Sequence, residues 1–229
     1  MLIVYVTNGA WRAAGTATRN AESERALTRL GVPRETIWFL GQEHDIANQK
    51  LRHHLQETYE AILARLSGGP EVSAIFTPAW EGGHPDHDAI ALVALALARQ
   101  LGIENNVRQF PMYNAYRCGW RPYRVLTPIR EAGPVVNLRI PASRRAVHLA
   151  ACWVYRSQLR TMIGLFPFIL FHYLIRGTQQ YQLLDETLVS HRPHSGELLY
   201  ERREWLSWEL FENDVREFKL KHLQPGPSH

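Results

Sequence analysis

Residues 78–89 read PAWEGGHPDHDA and run directly into the apolar stretch AIALVALALA at residues 89–98. That stretch has the length and composition of a helix that is buried on all sides. The preceding residues 72–78, VSAIFTP, are typical of a strand. Glycines, histidines and carboxylates are therefore confined to the short link between a predicted strand and a predicted helix at residues 88–101.

The same order of strand and helix occurs upstream of this link. The runs LIVYV at residues 2–6 and TIWFL at residues 36–40 favour strands, and residues 18–30 and 48–66 have the period of amphipathic helices. This alternation predicts an α/β fold, a Rossmann-like open and mainly parallel sheet with helices on both faces.

The C-terminal part is less regular. Short strands are expected within residues 108–141, a helix capped by Ser143 at residues 143–165, and a surface helix within residues 201–223. Because no linker-like tract interrupts the chain, we expect one domain over residues 1–229. It would comprise a parallel α/β core at residues 1–105 and a C-terminal elaboration at residues 106–229.

Composition narrows the class of protein. With 45% hydrophobic and 21% charged residues, the chain is typical of a globular protein. The two cysteines, Cys118 and Cys152, have no CxxC spacing, and the N-terminus lacks the pattern of a signal peptide. A reducing, cytoplasmic location is therefore expected. The most apolar segment, MIGLFPFILFHYLI at residues 162–175, is shorter than the ~20 residues that a membrane span needs.

Positive charge is concentrated in the middle of the chain. Residues 108–160 contain ten arginines and one acidic residue, Glu131, although the net charge of the whole chain is only +4. A solvated basic face is the simplest interpretation. Peripheral contact with an anionic membrane and binding of a phosphate-bearing small molecule stay open, whereas nucleic acid is disfavoured as a partner.

The link at residues 78–88 is suited to chemistry. In an open α/β sheet, ligands bind beyond the carboxyl ends of the strands, which is where this link lies. Pro85 suits the first position of the helix, with His84 near the cap and Asp86 and His87 in the first turn. His84 and His87 are three residues apart, so both can face one side, and imidazole serves as a zinc ligand or as an acid–base group.

The segment GGHPDH, residues 82–87, resembles the second signature of the LmbE-like deacetylases, a family that includes the PIG-L N-acetylglucosaminyl-phosphatidylinositol deacetylases. Weaker likenesses precede it in the same order: Thr7-Asn8-Gly9 is similar to the family's TDG turn, Arg19, Glu22, Ala26 and Leu30-Gly31-Val32 to its RxxE helix, and Leu40-Gly41 with Asp45 to its LGxxD loop. The likeness covers residues 1–105 well and the remainder loosely.

This resemblance implies a zinc-dependent N-deacetylase, with another divalent metal as an option, that acts on an N-acetylated sugar or glycolipid. His87 would be a zinc ligand. His84 would stabilise the oxyanion or protonate the leaving amine, and Asp86 would orient a neighbouring histidine. Arg19 and Asp45 would bind the sugar, although an ion pair between Arg19 and Glu22 explains the first of these equally well. The resemblance leaves the oligomeric state unassigned.

One family feature is missing from the sequence. The family's first signature, a His-Pro-Asp-Asp segment that supplies two metal ligands and the general base, has no counterpart here, so the chain is expected to be N-terminally truncated relative to the family. The other imidazoles considered as ligands are His44, His53, His54, His191 and His194. Of these, His44 is the best placed, because it follows a strand, and His191 and His194 are expected to be solvated.

Two alternatives follow from the missing signature and from the charge pattern. The first is a catalytically inactive LmbE-like relative that binds a glycan or a phosphorylated ligand. The second is a basic module that binds nucleic acid or a membrane.

Overall fold

The computed structural model describes residues 1–10 and 15–223. The strands are β1 (Ile3–Val4), β2 (Ile37–Trp38), β3 (Ile75–Pro78), β4 (Val107–Phe110), β5 (Tyr113–Asn114), β6 (Arg124–Val125), β7 (Val136–Arg139) and β8 (Thr178–Leu183). The helices are α1 (Thr16–Arg29), α2 (Leu40–Glu43), α3 (Leu55–Leu66), α4 (Pro85–Leu101), α5 (Ala142–Cys152), α6 (Leu159–Phe171), α7 (Glu186–Val189), α8 (Leu199–Arg202) and α9 (Trp208–His222).

The fold is mixed α/β, with about 51% helix, 12% strand and small mixed sheets. Two strand pairs are parallel, β1 with β2 and β3 with β4, and each is joined by a connection that contains a helix. The pairings of β4 with β8 and of β5 with β6 are antiparallel. The α/β class that the sequence predicts is therefore confirmed, as are parallel pairings around α1 and α4.

The chain forms two compact units. Unit 1 comprises Met1–Lys50 and Asn137–Gln179, and unit 2 comprises Leu51–Val136 and the chain from Gln180 onward. Each unit thus combines residues from the predicted core at 1–105 with residues from the predicted elaboration at 106–229. The units are described separately below.

Unit 2 is built around α4. This helix is buried along almost its whole length because alanine, leucine and valine occupy residues 91–98, and it packs against β3, α3 and α9. It ends at Gly102, whose φ of +70° is the left-handed conformation that terminates a helix at low cost to glycine. The predicted buried helix is confirmed; it begins at Pro85, the position that suited the first helical residue, rather than at residue 88.

Unit 1 packs α1 against α5 and α5 against α6. The predicted helix at residues 143–165 is in fact two helices, α5 and α6, separated by residues 153–158. The helix cap is Pro141 and the first helical residue is Ala142, so the expectation of a Ser143 cap was wrong. A π-helical turn, His172–Arg176, follows α6. Among the described residues, no helix has both the length and the apolar character of a membrane span.

Candidate functional site

The histidine loop, defined as Glu81–Asp88, joins β3 to α4 in unit 2. His84 is the N-cap of α4, with extended φ and ψ of −142° and 136°, and Pro85 is the first helical residue. The His84 Nδ1 atom accepts a hydrogen bond from the Asp86 backbone N–H at 3.2 Å. The His84 imidazole therefore caps the N-terminus of α4, as a serine or aspartate side-chain oxygen does in most helices. The predicted placement of these residues is confirmed.

The two glycines of the loop are required by contacts within the protein. A β-carbon on Gly83 would lie 1.9 Å from the backbone oxygen of Tyr113, and one on Gly82 would lie 2.4 Å from the Leu198 side chain. Gly82 also has a φ of +67°, which disfavours other residues. These glycines let the backbone approach β5 and the start of α8 closely.

Two buried carboxylates hold the loop in shape. Glu81 accepts hydrogen bonds from the backbone N–H groups of Met112 and Tyr113, both at 2.7 Å, and from the Asn114 side chain at 2.9 Å. Asp88 accepts from the backbone N–H groups of Glu81 and Gly82 at 3.1 and 3.2 Å. Both carboxylates are about 1% exposed or less. Each end of the loop is thus fixed by a carboxylate that binds backbone donors.

Burial favours the protonated, uncharged form of both acids. It raises the pKa of Glu81 to about 7, against the lowering effect of its three hydrogen bonds, and raises the pKa of Asp88 well above its usual value. The loop therefore contains carboxyl groups that hold protons more tightly than exposed ones do.

His84 and His87 lie side by side at the start of α4. Their ring centroids are 5.1 Å apart, with an angle of 40° between the ring planes. Trp205 meets the His84 ring edge to face at 5.5 Å, and Tyr113 lies 5.5 Å from the His87 ring. The structure therefore brings together the two histidines that the sequence singled out, within an aromatic setting.

Both imidazoles are held in the neutral form. Burial lowers the pKa of His87 to about 4, and burial, His87 and Arg203 lower the pKa of His84 well below its usual value. Because Nδ1 of His84 accepts a hydrogen bond, its single proton is assigned to Nε2. His84 can therefore donate a hydrogen bond through Nε2 without carrying a charge.

Asp86 contacts His84 through its backbone. The Asp86 Oδ1 atom accepts from the Leu51 backbone N–H at 3.1 Å, and Oδ2 lies 3.8 Å from His84 Nδ1, beyond hydrogen-bond distance. The N–H of Asp86 orients the imidazole, while its carboxylate anchors the loop to the turn before α3.

Arg19 and Asp45 belong to unit 1. Arg19 Nη1 lies 3.4 Å from Ser157 Oγ and 3.7 Å from Glu22 Oε2, so the ion pair that the sequence offered as an equal explanation is present. Burial lowers the pKa of Arg19, and its Nε atom is buried with no hydrogen-bond partner in the described part of the chain. Asp45 is exposed and has a φ of +50°. Its carboxylate accepts from the Asn8 side chain at 3.5 Å.

A zinc ion can be tested against the donors that surround the loop. His87 Nδ1 is buried and has no hydrogen-bond partner within residues 1–10 and 15–223, so it is free to donate an electron pair to a metal ion. A catalytic zinc usually takes three protein ligands. Across those same ranges, no group of three or more His, Cys, Asp or Glu side chains is arranged to hold a metal ion. The described residues alone therefore do not fit a catalytic zinc.

The other histidines do not complete such a set. His53 is exposed 3.9 Å from Asp214, and His54 contacts Glu57 at 2.9 Å. His191 is exposed, as expected, and His44 belongs to unit 1.

The expectation that His194 is solvated was wrong. Its side chain is 8% exposed, lies 4.9 Å from the Tyr116 ring and accepts from the Gly196 backbone N–H at 3.2 Å. Burial lowers its pKa to about 4. Its polar sequence neighbours gave no sign of burial. The role of Glu81 was also missed, although its position three residues after the end of β3 was a usable signal.

Comparison of the chain with protein-family models, with curated proteins and with solved structures found no match. The features of the chain that point to a function are therefore the geometry of the histidine loop and the likeness of the GGHPDH segment.

Proposed function

We propose that the chain takes part in metal-dependent hydrolysis of an N-acetyl group on a substrate that contains an amino sugar. The observation that carries this proposal is the pair of adjacent, neutral imidazoles, His84 and His87, at the start of α4. The likeness of residues 82–87 to the LmbE-like signature supplies the substrate class. A Rossmann-like arrangement of the sheet and a cytoplasmic location are parts of the same proposal.

His84 is suited to binding an oxyanion. When water attacks an acetamide carbonyl, negative charge develops on the oxygen, and a preorganised donor stabilises that charge most effectively in a water-poor site. The Nε2–H of His84 is such a donor, since its Nδ1 is already occupied by the Asp86 N–H. The lowered pKa of His84 makes it a poor source of protons for the leaving amine near neutral pH. The oxyanion role is therefore the better of the two that the sequence left open.

His87 is suited to donating an electron pair. Its ring is neutral because burial lowers its pKa to about 4, and its Nδ1 has no partner in the described residues. A metal there would polarise the carbonyl and activate water. Since the side chains of the described residues do not complete a zinc site, the other positions on a metal held by His87 would be filled by donors other than these side chains, such as water.

Acetate release tests this proposal. The 229-residue chain is incubated with zinc and with either N-acetylglucosamine or its 1-phosphate, and acetate is measured by proton NMR. We expect release by the wild type and a loss of about 100-fold in His84→Ala, the usual effect of removing one oxyanion donor. His54→Ala is the matched control, because the His54 side chain lies outside the histidine loop and contacts Glu57 on α3, and it should keep the wild-type rate.

Zinc content separates the two histidines. His87→Ala should lower the zinc bound per chain, whereas His84→Ala should leave it unchanged and lose rate alone. Equal loss of zinc in both variants would contradict the assigned roles. A zinc-loaded wild type that releases no acetate from either sugar would contradict hydrolysis of these substrates.

A second candidate function is binding without hydrolysis. It is favoured by the lack of a three-ligand group in the described residues. In that case N-acetylglucosamine 1-phosphate binds, as measured by calorimetry, with the same affinity in the presence of zinc or EDTA, and no acetate appears.

The assignment of Arg19 and Asp45 to sugar binding is also a proposal. The buried, unpartnered Nε of Arg19 supports it. Arg19→Lys should raise KM for the sugar more than it lowers kcat, because a lysine cannot reproduce the planar donors of the guanidinium.

A further inference from the structure

Unit 1 exposes an apolar stripe on α6 and the π-helical turn that follows it. Five large apolar side chains on these elements are exposed, namely Leu159 (46%), Ile163 (67%), Phe171 (60%), Leu174 (62%) and Ile175 (67%). His172 and Tyr173, which lie between Phe171 and Leu174 in sequence, are buried instead. The elements thus turn one apolar face into their own unit and leave a second one uncovered.

The stripe continues across the segment before α6. Trp153 is 56% exposed and packs on Phe166 with ring centroids 4.6 Å apart. Together with Leu159, Ile163 and Pro167 these two residues line an open apolar groove of about 220 Å³. Apolar surface that is contiguous in this way marks a contact site more often than scattered single residues do.

The chain segment that contains the stripe has charge of one sign. Residues 137–179, the second chain segment of unit 1, contain six arginines and no aspartate or glutamate. Arg144 on α5 and Arg156 in the turn before α6 are exposed. Glu22 of α1 contacts Ser157, next to Arg156, so the excess of positive charge belongs to the segment that carries the stripe.

We propose that this face of unit 1 docks on the surface of an anionic lipid bilayer. An apolar helix face with arginines beside it lies in the plane of the interface, with its apolar side chains below the headgroups and its cations beside the lipid phosphates. Trp153 suits the boundary itself, where indole rings are enriched. This inference does not depend on the proposed hydrolysis, because it concerns residues outside unit 2.

Charge decides between this occupant and two others. A second copy of the chain docked through the same face would bring the arginines of two copies together, which is unfavourable. A nucleic acid would satisfy the arginines but would leave the exposed Ile163, Phe171 and Ile175 without an apolar partner. A bilayer with anionic headgroups satisfies both kinds of group.

Vesicle flotation with the full chain tests the proposal. We expect the wild type to float with mixed phosphatidylcholine–phosphatidylglycerol vesicles and to remain with the unbound protein when the vesicles are pure phosphatidylcholine. Double substitution of Ile163→Glu and Phe171→Glu should lower the partition coefficient at least about 10-fold, because two apolar side chains no longer enter the bilayer. Leu210→Glu on α9 is the matched control, since the exposure of Leu210, 56%, is close to the 60% of Phe171 but Leu210 lies in unit 2, and this variant should bind as the wild type does.

The arginines are tested separately. Arg144→Glu with Arg156→Glu should lower binding to the anionic vesicles about 25-fold, which corresponds to a five-fold effect for each arginine near the surface. Binding should also weaken as salt is raised. The circular dichroism spectra of all variants should match that of the wild type, because every substituted side chain is exposed.

Three outcomes would overturn the proposal. One is a wild type that does not float with anionic vesicles. Another is a dimer, seen by analytical ultracentrifugation, that the apolar double variant dissociates while neither protein binds vesicles. The third is salt-sensitive binding to a DNA duplex in a wild type that ignores vesicles.

Discussion

The histidine loop of unit 2 buries polar groups, whereas residues 137–179 of unit 1 expose apolar ones. The loop buries three carboxylates and the His84 imidazole, leaves His87 only partly exposed, and surrounds these groups with backbone donors, aromatic rings and closely approaching glycines. The segment in unit 1 exposes leucine, isoleucine and phenylalanine beside arginines. The contacts of the histidine loop hold its reactive groups rigidly, whereas the exposed apolar surface of residues 137–179 is suited to binding a partner.

The largest expected effect on stability comes from Gly83→Ala. A β-carbon at this position would lie 1.9 Å from the Tyr113 backbone oxygen, and a backbone atom cannot move aside as a flexible side chain does. We expect a loss of at least about 3 kcal/mol in the free energy of unfolding, measured by urea denaturation.

Gly196→Ala is the control for that substitution. Gly196 lies in the same unit, and its added β-carbon would approach His194 at an ordinary 3.4 Å. A similar loss in both variants would mean that the loop is less tightly packed than its contacts indicate.

The next effect is a pH dependence carried by His87. Its pKa falls from 6.5 to about 4 on folding, so the unfolded chain binds the proton more tightly and stability decreases as pH falls through that interval. Relative to His87→Asn, the wild type should lose on the order of 3 kcal/mol between these two pH values. Glu81, whose pKa is raised, makes stability change with pH in the opposite direction. Because both proteins contain Glu81, its contribution cancels when their free energies of unfolding are subtracted.

Urea denaturation at a series of pH values measures this difference. Parallel stability curves for the wild type and His87→Asn would show that His87 is not held neutral by burial.

A smaller effect is expected from Asn114→Ala. The Asn114 amide donates to Glu81 at 2.9 Å and to the Thr127 backbone oxygen at 3.2 Å. Removing it leaves the buried Glu81 carboxylate with one donor fewer, which should cost about 1–2 kcal/mol of unfolding free energy. It should also raise the pKa of Glu81 further. A neutral effect would show that water replaces the amide and that this part of the loop is open.

The smallest effect is expected on the exposed stripe. Ile163→Gln should change the free energy of unfolding by less than about 0.5 kcal/mol, since 67% of Ile163 is already in contact with solvent. A loss comparable to that of Gly83→Ala would mean that the stripe is part of a core, and the contrast between the two regions would fail.

The sequence predicted those features that depend on neighbouring residues. The strand at residues 75–78, the capping position of His84 and the buried helix from Pro85 all follow from local composition, and each is present. The strand before α4 and the apolar helix after it confine the histidines to one turn. Their proximity could therefore be predicted without any knowledge of the tertiary structure.

Features that depend on distant contacts were missed. Glu81 accepts a hydrogen bond from Met112, which is 31 residues away in sequence. His194 is buried against Tyr116, and these two residues are too far apart in sequence for a local pattern to relate them. The combination of residues 1–50 with residues 137–179 in unit 1 is likewise invisible in periodicity or composition. The break between α5 and α6 was missed because the apolar period continues across it.

The protonation state of His84 and His87 tests the central claim most directly. Long-range proton–nitrogen NMR spectra, assigned with the two single-histidine variants, report both the charge and the tautomer of each ring. We predict two neutral imidazoles at about pH 6, with the His84 proton on Nε2. Charged rings at that pH, or a His84 proton on Nδ1, would contradict the account.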